Sequence, residues 1–151
     1  METLMNHEIK ECRSERDWRR VWPVIQELRS HLSEDDYLTL LETMRKEEGY
    51  RLFYLEEAGE IMACAGIAVR TTFYYGKHVF VHELVTRSDQ RSRGFGERLL
   101  AAVERWGQEQ GCTRIALTSG LSRHKAHRFY EEKMGYGKKS YAFVKELGGG
   151  V

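Results

Sequence analysis

What the chain lacks already narrows its class. No apolar run approaches the ~20 residues that a membrane span needs, and Met1 to Glu8 has none of the apolar core of a secretory leader. The expectation is a cytoplasmic protein with no membrane partner. Cysteine is scarce: Cys12, Cys64 and Cys112 are an odd number, widely spaced, and each falls in a predicted apolar strand. That pattern excludes a disulfide framework and reads as three reduced core residues. Charge of one sign is also missing, since the formal net charge is +1 and the basic residues are interleaved with acids. A strongly electrostatic nucleic-acid partner is therefore not expected. With 41% hydrophobic and 31% charged residues, the chain is not of the disordered kind. Its 151 residues suit one domain, residues 1–147, followed by a frayed tail at 148–151.

There are no repeats and no internal linkers; apolar periodicity switches regularly between strand and helix. Glu8 to Arg13 reads as a short strand. Ser14-Glu15-Arg16-Asp17 then has the form of a helix cap, after which Trp18, Val21, Trp22, Ile25, Leu28 and Leu32 recur at helical spacing. The sole proline, Pro23, should bend that helix. A second cap, Ser33-Glu34-Asp35-Asp36, opens a helix carrying Leu38, Leu41 and Met44. Tyr50 to Glu56 and Ile61 to Val69 read as a hairpin joined by Ala58-Gly59-Glu60, and His78 to Thr86 as a further strand after Gly76. Phe95, Leu99, Val103 and Trp106 mark a helix from Gly94 to Gln110, closed by Gly111. Cys112 to Ser119 follows as a parallel strand, because a crossover helix between two apolar strands is the βαβ unit. Lys125 to Glu132 reads as a short helix and Tyr141 to Leu147 as a closing strand. The fold class is α/β, a mixed, twisted sheet of about six or seven strands with four flanking helices.

At the junction of strand and crossover helix stands Arg91-Ser92-Arg93-Gly94-Phe95-Gly96. A strand turning tightly into a helix leaves several backbone N–H groups aimed at one point, where the helix dipole adds roughly half a positive charge. Glycines at 94 and 96 permit close approach, and Arg91 and Arg93 can supply delocalised charge to phosphate oxygens. The string has the chemistry of a pyrophosphate cradle; the competing reading is a surface turn that merely uses glycine.

His82-Glu83-Leu84-Val85, Arg91-x-x-Gly94-x-Gly96, the amphipathic helix, the strand through Ile115 and Leu117, and Ala126-x-x-Phe129-Tyr130-Glu131-x-x-x-Gly135-Tyr136 follow one another in the order of a known set of motifs. Over roughly residues 50 to 147 the chain resembles the GNAT family of N-acetyltransferases. The resemblance implies that the strands at 78–86 and 112–119 diverge. It also implies that acetyl-CoA enters as co-substrate, its pantetheine arm against the backbone of Leu84, Val85 and Thr86. Its pyrophosphate would then sit on Arg91, Ser92, Arg93, Gly94, Phe95, Gly96 and Glu97. Many members have asparagine where this chain has Arg123, which is kept as a candidate coenzyme-binding residue although the family's contact does not carry over to it, glycine where it has Ser92 and proline where it has Ser88. Ser92 keeps its N–H and adds a hydroxyl donor.

Acetyl transfer from a thioester to an amine requires a neutral amine, a stabilised oxyanion and a proton or hydrogen bond for the departing thiolate. Glu83, a carboxylate in an otherwise apolar strand, is the candidate general base, acting through water; its structural alternative is a salt bridge at a strand edge. Strand alternation turns His82 to the opposite face, in a structural role. Tyr130 resembles the family tyrosine that meets the coenzyme sulfur and is the candidate general acid. His124 and His127 are spaced for one face of a helix but show no third ligand, so no metal site is expected.

The reading is an acetyl-CoA-dependent N-acetyltransferase acting on the primary amine of a small molecule by direct attack. Its alternatives are a protein or peptide acceptor and a non-catalytic acyl-CoA-binding sensor; retention of both Glu83 and Tyr130 argues against the sensor. Within the family the C-terminal half is most similar to aminoalkylphosphonate acetyltransferases. Glu34, Asp35 and Asp36, beside the expected acceptor cleft, would attract a cationic substrate unless they serve only their helix dipole. A homodimer is compatible with such a domain.

Overall fold

The computed structural model describes residues 9–149. It divides into two compact units, one ending at Leu117 and the other beginning at Thr118. The first contains β1 (Ile9–Glu11), α1 (Glu15–Leu28), α2 (Glu34–Glu48), β2 (Arg51–Glu57), β3 (Glu60–Thr72), β4 (Gly76–Thr86), α3 (Phe95–Glu109) and β5 (Arg114–Leu117). The second contains α4 (His124–Arg128), which runs on into a π-helical turn at Phe129–Lys133.

Both expected caps are present. The Ser14 side chain accepts from the Asp17 backbone N–H, and Ser33 and Asp36 form a reciprocal capping box. The apolar stripe of α1 faces inward as predicted for Val21, Trp22 and Ile25, joined by Val24, with Trp18 and Leu28 packed against them; Leu32, read into the same helix, lies past its end at Leu28 but packs on the same cluster. Trp22 stacks on Tyr37 of α2 with ring centroids 4.8 Å apart.

The strands form one sheet in chain order, antiparallel from β1 through β4 and parallel between β4 and β5. In β2, Leu52 and Tyr54 join the α1–α2 cluster, while Phe53, on the other face, meets Trp106 of α3 at 5.8 Å. Helices therefore cover both faces, which is why Leu52–Leu55 and Ile61–Ala68 are buried without alternation. Cys12, Cys64 and Cys112 are free and buried, although Cys12 and Cys112 lie just outside strands.

Five strands are described, fewer than the six or seven expected, and the helix count of four holds. The difference lies at Tyr141–Leu147, where the described chain has no strand and Phe143 and Leu147 are 93% and 92% exposed. Alternating apolar residues supply a strand with a face, but its backbone needs a paired neighbour, and this segment has none among the described residues. The predicted start of β1 at Glu8 and the end of the tail at 150–151 lie outside the described residues.

At Gly107 α3 packs closely on the sheet: a Cβ there would stand 2.6 Å from Cγ2 of Val79. Gly107→Val should lower the unfolding free energy by about 1–3 kcal/mol in a denaturant titration, the usual cost of overpacking a core. An unchanged midpoint would show that α3 can retreat freely from β4.

Candidate active site

In β4, Gly66 of β3 pairs with Glu83 and Ile67 pairs with Val81, so His82 is an extra residue without a partner, a β-bulge. The bulge undoes the strand alternation that put His82 and Glu83 on opposite faces. Both side chains meet the same residue, Tyr50: its hydroxyl donates to Glu83 Oε1 at 2.6 Å, and its ring lies edge-on to the His82 ring at 5.4 Å. Arg29, the residue that ends α1, reaches across to donate to the His82 carbonyl at 2.9 Å and to Glu83 Oε2 at 3.4 Å. Arg70 lies over Phe80 and comes within 3.3 Å of His82 Nε2. Glu83 is thus a carboxylate with a 13% exposed side chain, held by Arg29 at the end of α1 and by Tyr50 just past the end of α2, on a strand paired with β3.

The sequence reading missed Tyr50, Arg29 and Gly66. A Cβ on Gly66 would coincide with the Tyr50 hydroxyl, so only glycine admits that ring. Burial, followed by the Glu83 charge, pushes the Tyr50 phenol well above its ordinary value, so it remains a donor. Burial is also the leading cause that holds His82 below its ordinary value, with Glu83 and Glu48 opposing and Arg70 and Arg29 assisting.

Past the bulge, Leu84, Val85 and Thr86 pair with Ala65, Cys64 and Ala63 of β3. The parallel ladder to β5 ends at Val81 and Leu117. From His82 to Thr86, β4 is therefore paired with a strand on one side only, and its other edge carries the backbone groups expected to receive an extended ligand arm. The Val85 side chain is buried in the α1–α2 cluster, which leaves its main chain for such contact.

The cradle follows. Ser92 has φ 68° and Gly94 φ 83°, both left-handed, with Arg91 extended between the short 3₁₀ turn Ser88–Gln90 and Ser92. Gly94 is the N-cap of α3 and provides no side-chain cap, so the N–H groups of Phe95 and Gly96 at the helix start are open to a ligand or water. The space beside Gly94 is open, so its backbone angle, not crowding, is what requires glycine in the free chain. Phe95 is buried and anchors the helix start. Of the two arginines, Arg93 is already engaged by Gln90, Glu57 and the Phe95 ring. Arg91 is exposed and has no ion pair among the described residues, so it is the cation available for phosphate. Ser88 donates its backbone N–H to Glu27 of α1 at 2.8 Å, a bond that proline there could not make.

In the second unit, Tyr130 lies on the π-helical turn, half-buried, with ring contacts to Phe129 and Tyr136. Burial raises its phenol above the ordinary value, opposed by Arg123, so it holds its proton at neutral pH. Arg123 is exposed at the N-cap of α4. The Ser119 hydroxyl is buried without a hydrogen-bond partner, the kind of orphaned group that a bound ligand satisfies. His127 is hydrogen-bonded to the Gly120 carbonyl at 2.8 Å, and among the described residues no three His, Cys, Asp or Glu side chains converge as a metal site would require. No described helix is long and apolar enough to cross a membrane.

The acids at 34–36 are largely accounted for within the fold. Glu34 pairs with Arg19 at 3.4 Å and Asp36 closes the capping box. Their service to an acceptor loses its support.

An open strand edge thus runs into an uncapped, left-handed helix start, and the comparisons with known proteins give the class of the chain. Residues 3–136 match the model of the acetyltransferase (GNAT) family, and the chain belongs to that family. It is 38% identical over 139 residues to an uncharacterized N-acetyltransferase of Bacillus subtilis (strain 168), YhdJ, spanning 92% of this chain and 98% of that protein. Among solved structures it resembles the aminoglycoside N-acetyltransferase AAC(6')-Iy in complex with CoA. The TM-score is 0.80 at 18% identity, over 93% of this chain and 94% of that one. It also resembles an aminoglycoside acetyltransferase from an uncultured soil metagenomic sample, with a TM-score of 0.78 at 14% identity over 93% and 96% of the two chains. This chain is thus an N-acetyltransferase of the GNAT family.

Because the His82 ring titrates below its ordinary value of 6.5, the folded state binds fewer protons than the unfolded chain just under that pH. Its contribution to stability is complete above about pH 6.5 and is lost as pH falls toward the folded value. The melting temperature should therefore fall on acidification through that window, and His82→Gln should flatten the slope. A slope identical in the variant would assign the acid sensitivity to other groups.

Proposed function

We propose that this chain transfers the acetyl group of acetyl-CoA to the primary amine of a small molecule, by direct attack and without a covalent enzyme intermediate. The observation that carries the reading is the continuity of the open β4 edge at His82–Thr86 with the uncapped start of α3. Together they offer an extended array of backbone donors and acceptors ending in a focused positive site. Leu84, Val85 and Thr86 would hold the pantetheine arm through their main chain. The N–H groups of Ser92, Arg93, Gly94, Phe95, Gly96 and Glu97 would bind the pyrophosphate, with Arg91 the principal counter-charge, and Arg123 would contribute a further cation.

Glu83 takes the proton of the acceptor ammonium, directly or through water, and Tyr130 gives its proton to the departing sulfur. A phenol kept protonated by burial suits the second task. A small acceptor is supported by the two structural relatives, whose names mark them as aminoglycoside acetyltransferases.

The test is a thiol-release assay with acetyl-CoA against small amines and lysine peptides. Turnover of the best small amine should exceed that of the best peptide by at least about tenfold in kcat/KM, about 1.4 kcal/mol of transition-state discrimination. A peptide that outperforms every small amine would move the acceptor to the protein class.

Tyr130→Phe should leave the Kd for acetyl-CoA nearly unchanged and lower kcat about 10²-fold where chemistry limits turnover. An unchanged kcat under those conditions would remove Tyr130 from the reaction.

A further inference from the structure

We propose that Tyr50, admitted by the missing side chain of Gly66, is a positioning residue that fixes Glu83 by Oε1 and leaves Oε2, which Arg29 only shares, as the oxygen that serves the acceptor. The proposal rests on the reading of Glu83 as base and adds what makes it one. Tyr50 is 6% exposed in a cluster with Val24, Ile25, Leu41 and Cys64, surroundings in which a phenol hydroxyl has few partners to choose from. It takes Glu83 Oε1, at 2.6 Å. Because its proton is retained by burial and by the neighbouring carboxylate, that bond persists at every working pH, and Oε1 stays occupied. Arg29 stands differently. Its short bond is to the His82 carbonyl, 2.9 Å, and its approach to Glu83 Oε2 is 3.4 Å, longer than the 2.7–2.9 Å of a tight charge-assisted bond. Oε2 is therefore steered but not saturated, and a water or an ammonium can take its remaining lone pairs.

Two oxygens of one carboxylate thus have separate duties, assigned by backbone features rather than by the carboxylate itself. The bulge at His82 turns Glu83 toward Tyr50, and Gly66, paired opposite Glu83, clears the space for the ring. Tyr50 acts through Glu83 and touches neither acetyl donor nor acceptor.

A double-mutant cycle on the whole chain tests this, with acetyl-CoA and the best small amine as substrates. Tyr50→Phe should lower kcat about tenfold, keep the Kd for acetyl-CoA within about twofold, and have no further effect in a Glu83→Gln background. Arg29→Gln, on a half-exposed side chain whose loss spares the core, should lower kcat about threefold and likewise be silent without Glu83. Losses that multiply in the double variants overturn the proposal while leaving Glu83 as base. A Glu83→Gln enzyme with full activity fails the base reading first, and this role for Tyr50 with it. Urea unfolding gives an arm independent of turnover: Tyr50→Phe and Glu83→Leu, each of which removes the bond from the Tyr50 hydroxyl to Oε1, should be coupled in stability, and strictly additive losses overturn the contact itself.

Discussion

A hydroxyl buried in an apolar cluster has to find an acceptor, and the position of the candidate site follows from how Tyr50 does so. Its bond to Glu83 requires a strand neighbour without a side chain, which is Gly66, and a partner strand that turns its carboxylate inward, which the extra residue at His82 accomplishes. The same irregularity coincides with the end of the β4–β5 ladder one residue earlier, at Val81. One local departure from regular pairing therefore orients the acid and frees the strand edge beyond it. A regular β4 would have sent His82 and Glu83 to opposite faces.

Much of this was legible in the residues. The caps at Ser14 and Ser33, the apolar stripe of α1, the hairpin at Ala58-Gly59 and the parallel crossover through α3 rest on local rules, and local rules held. The uncapped helix start at Gly94 was legible for the same reason: an N–H-rich helix start is a property of a short stretch of chain. The support around Glu83 was not. Arg29 and Tyr50 lie 54 and 33 residues away from it, and no periodicity announces a bulge or a ring seated on a glycine in the next strand. The closing strand at 141–147 erred in the opposite way, since its alternation was real but a strand also depends on a neighbour that its own residues do not specify.

The departures from the family pattern have local explanations. Ser88 exchanges the rigidity of proline for an N–H bonded to Glu27, which ties the loop before the cradle to α1. Arg87, bridged to Glu60 and Asp89, secures the same loop to the β2–β3 turn. With Arg93 drawn off by Glu57 and Gln90, the cradle's charge is unequally divided, one arginine bracing the loop and the other, Arg91, exposed to solvent.

Ser92 occupies a left-handed backbone angle that costs an ordinary residue roughly 1–2 kcal/mol, beside Gly94 in the same region. That strain is present before any ligand arrives, and it is sustained by the anchoring of Phe95 below and of Arg87 and Ser88 upstream. The conformational work of shaping this loop is thus done during folding and withdrawn from the stability of the fold. At the proposed pyrophosphate site, association would then begin from a loop whose entropy has already been surrendered, so that less of the binding free energy is spent on ordering it.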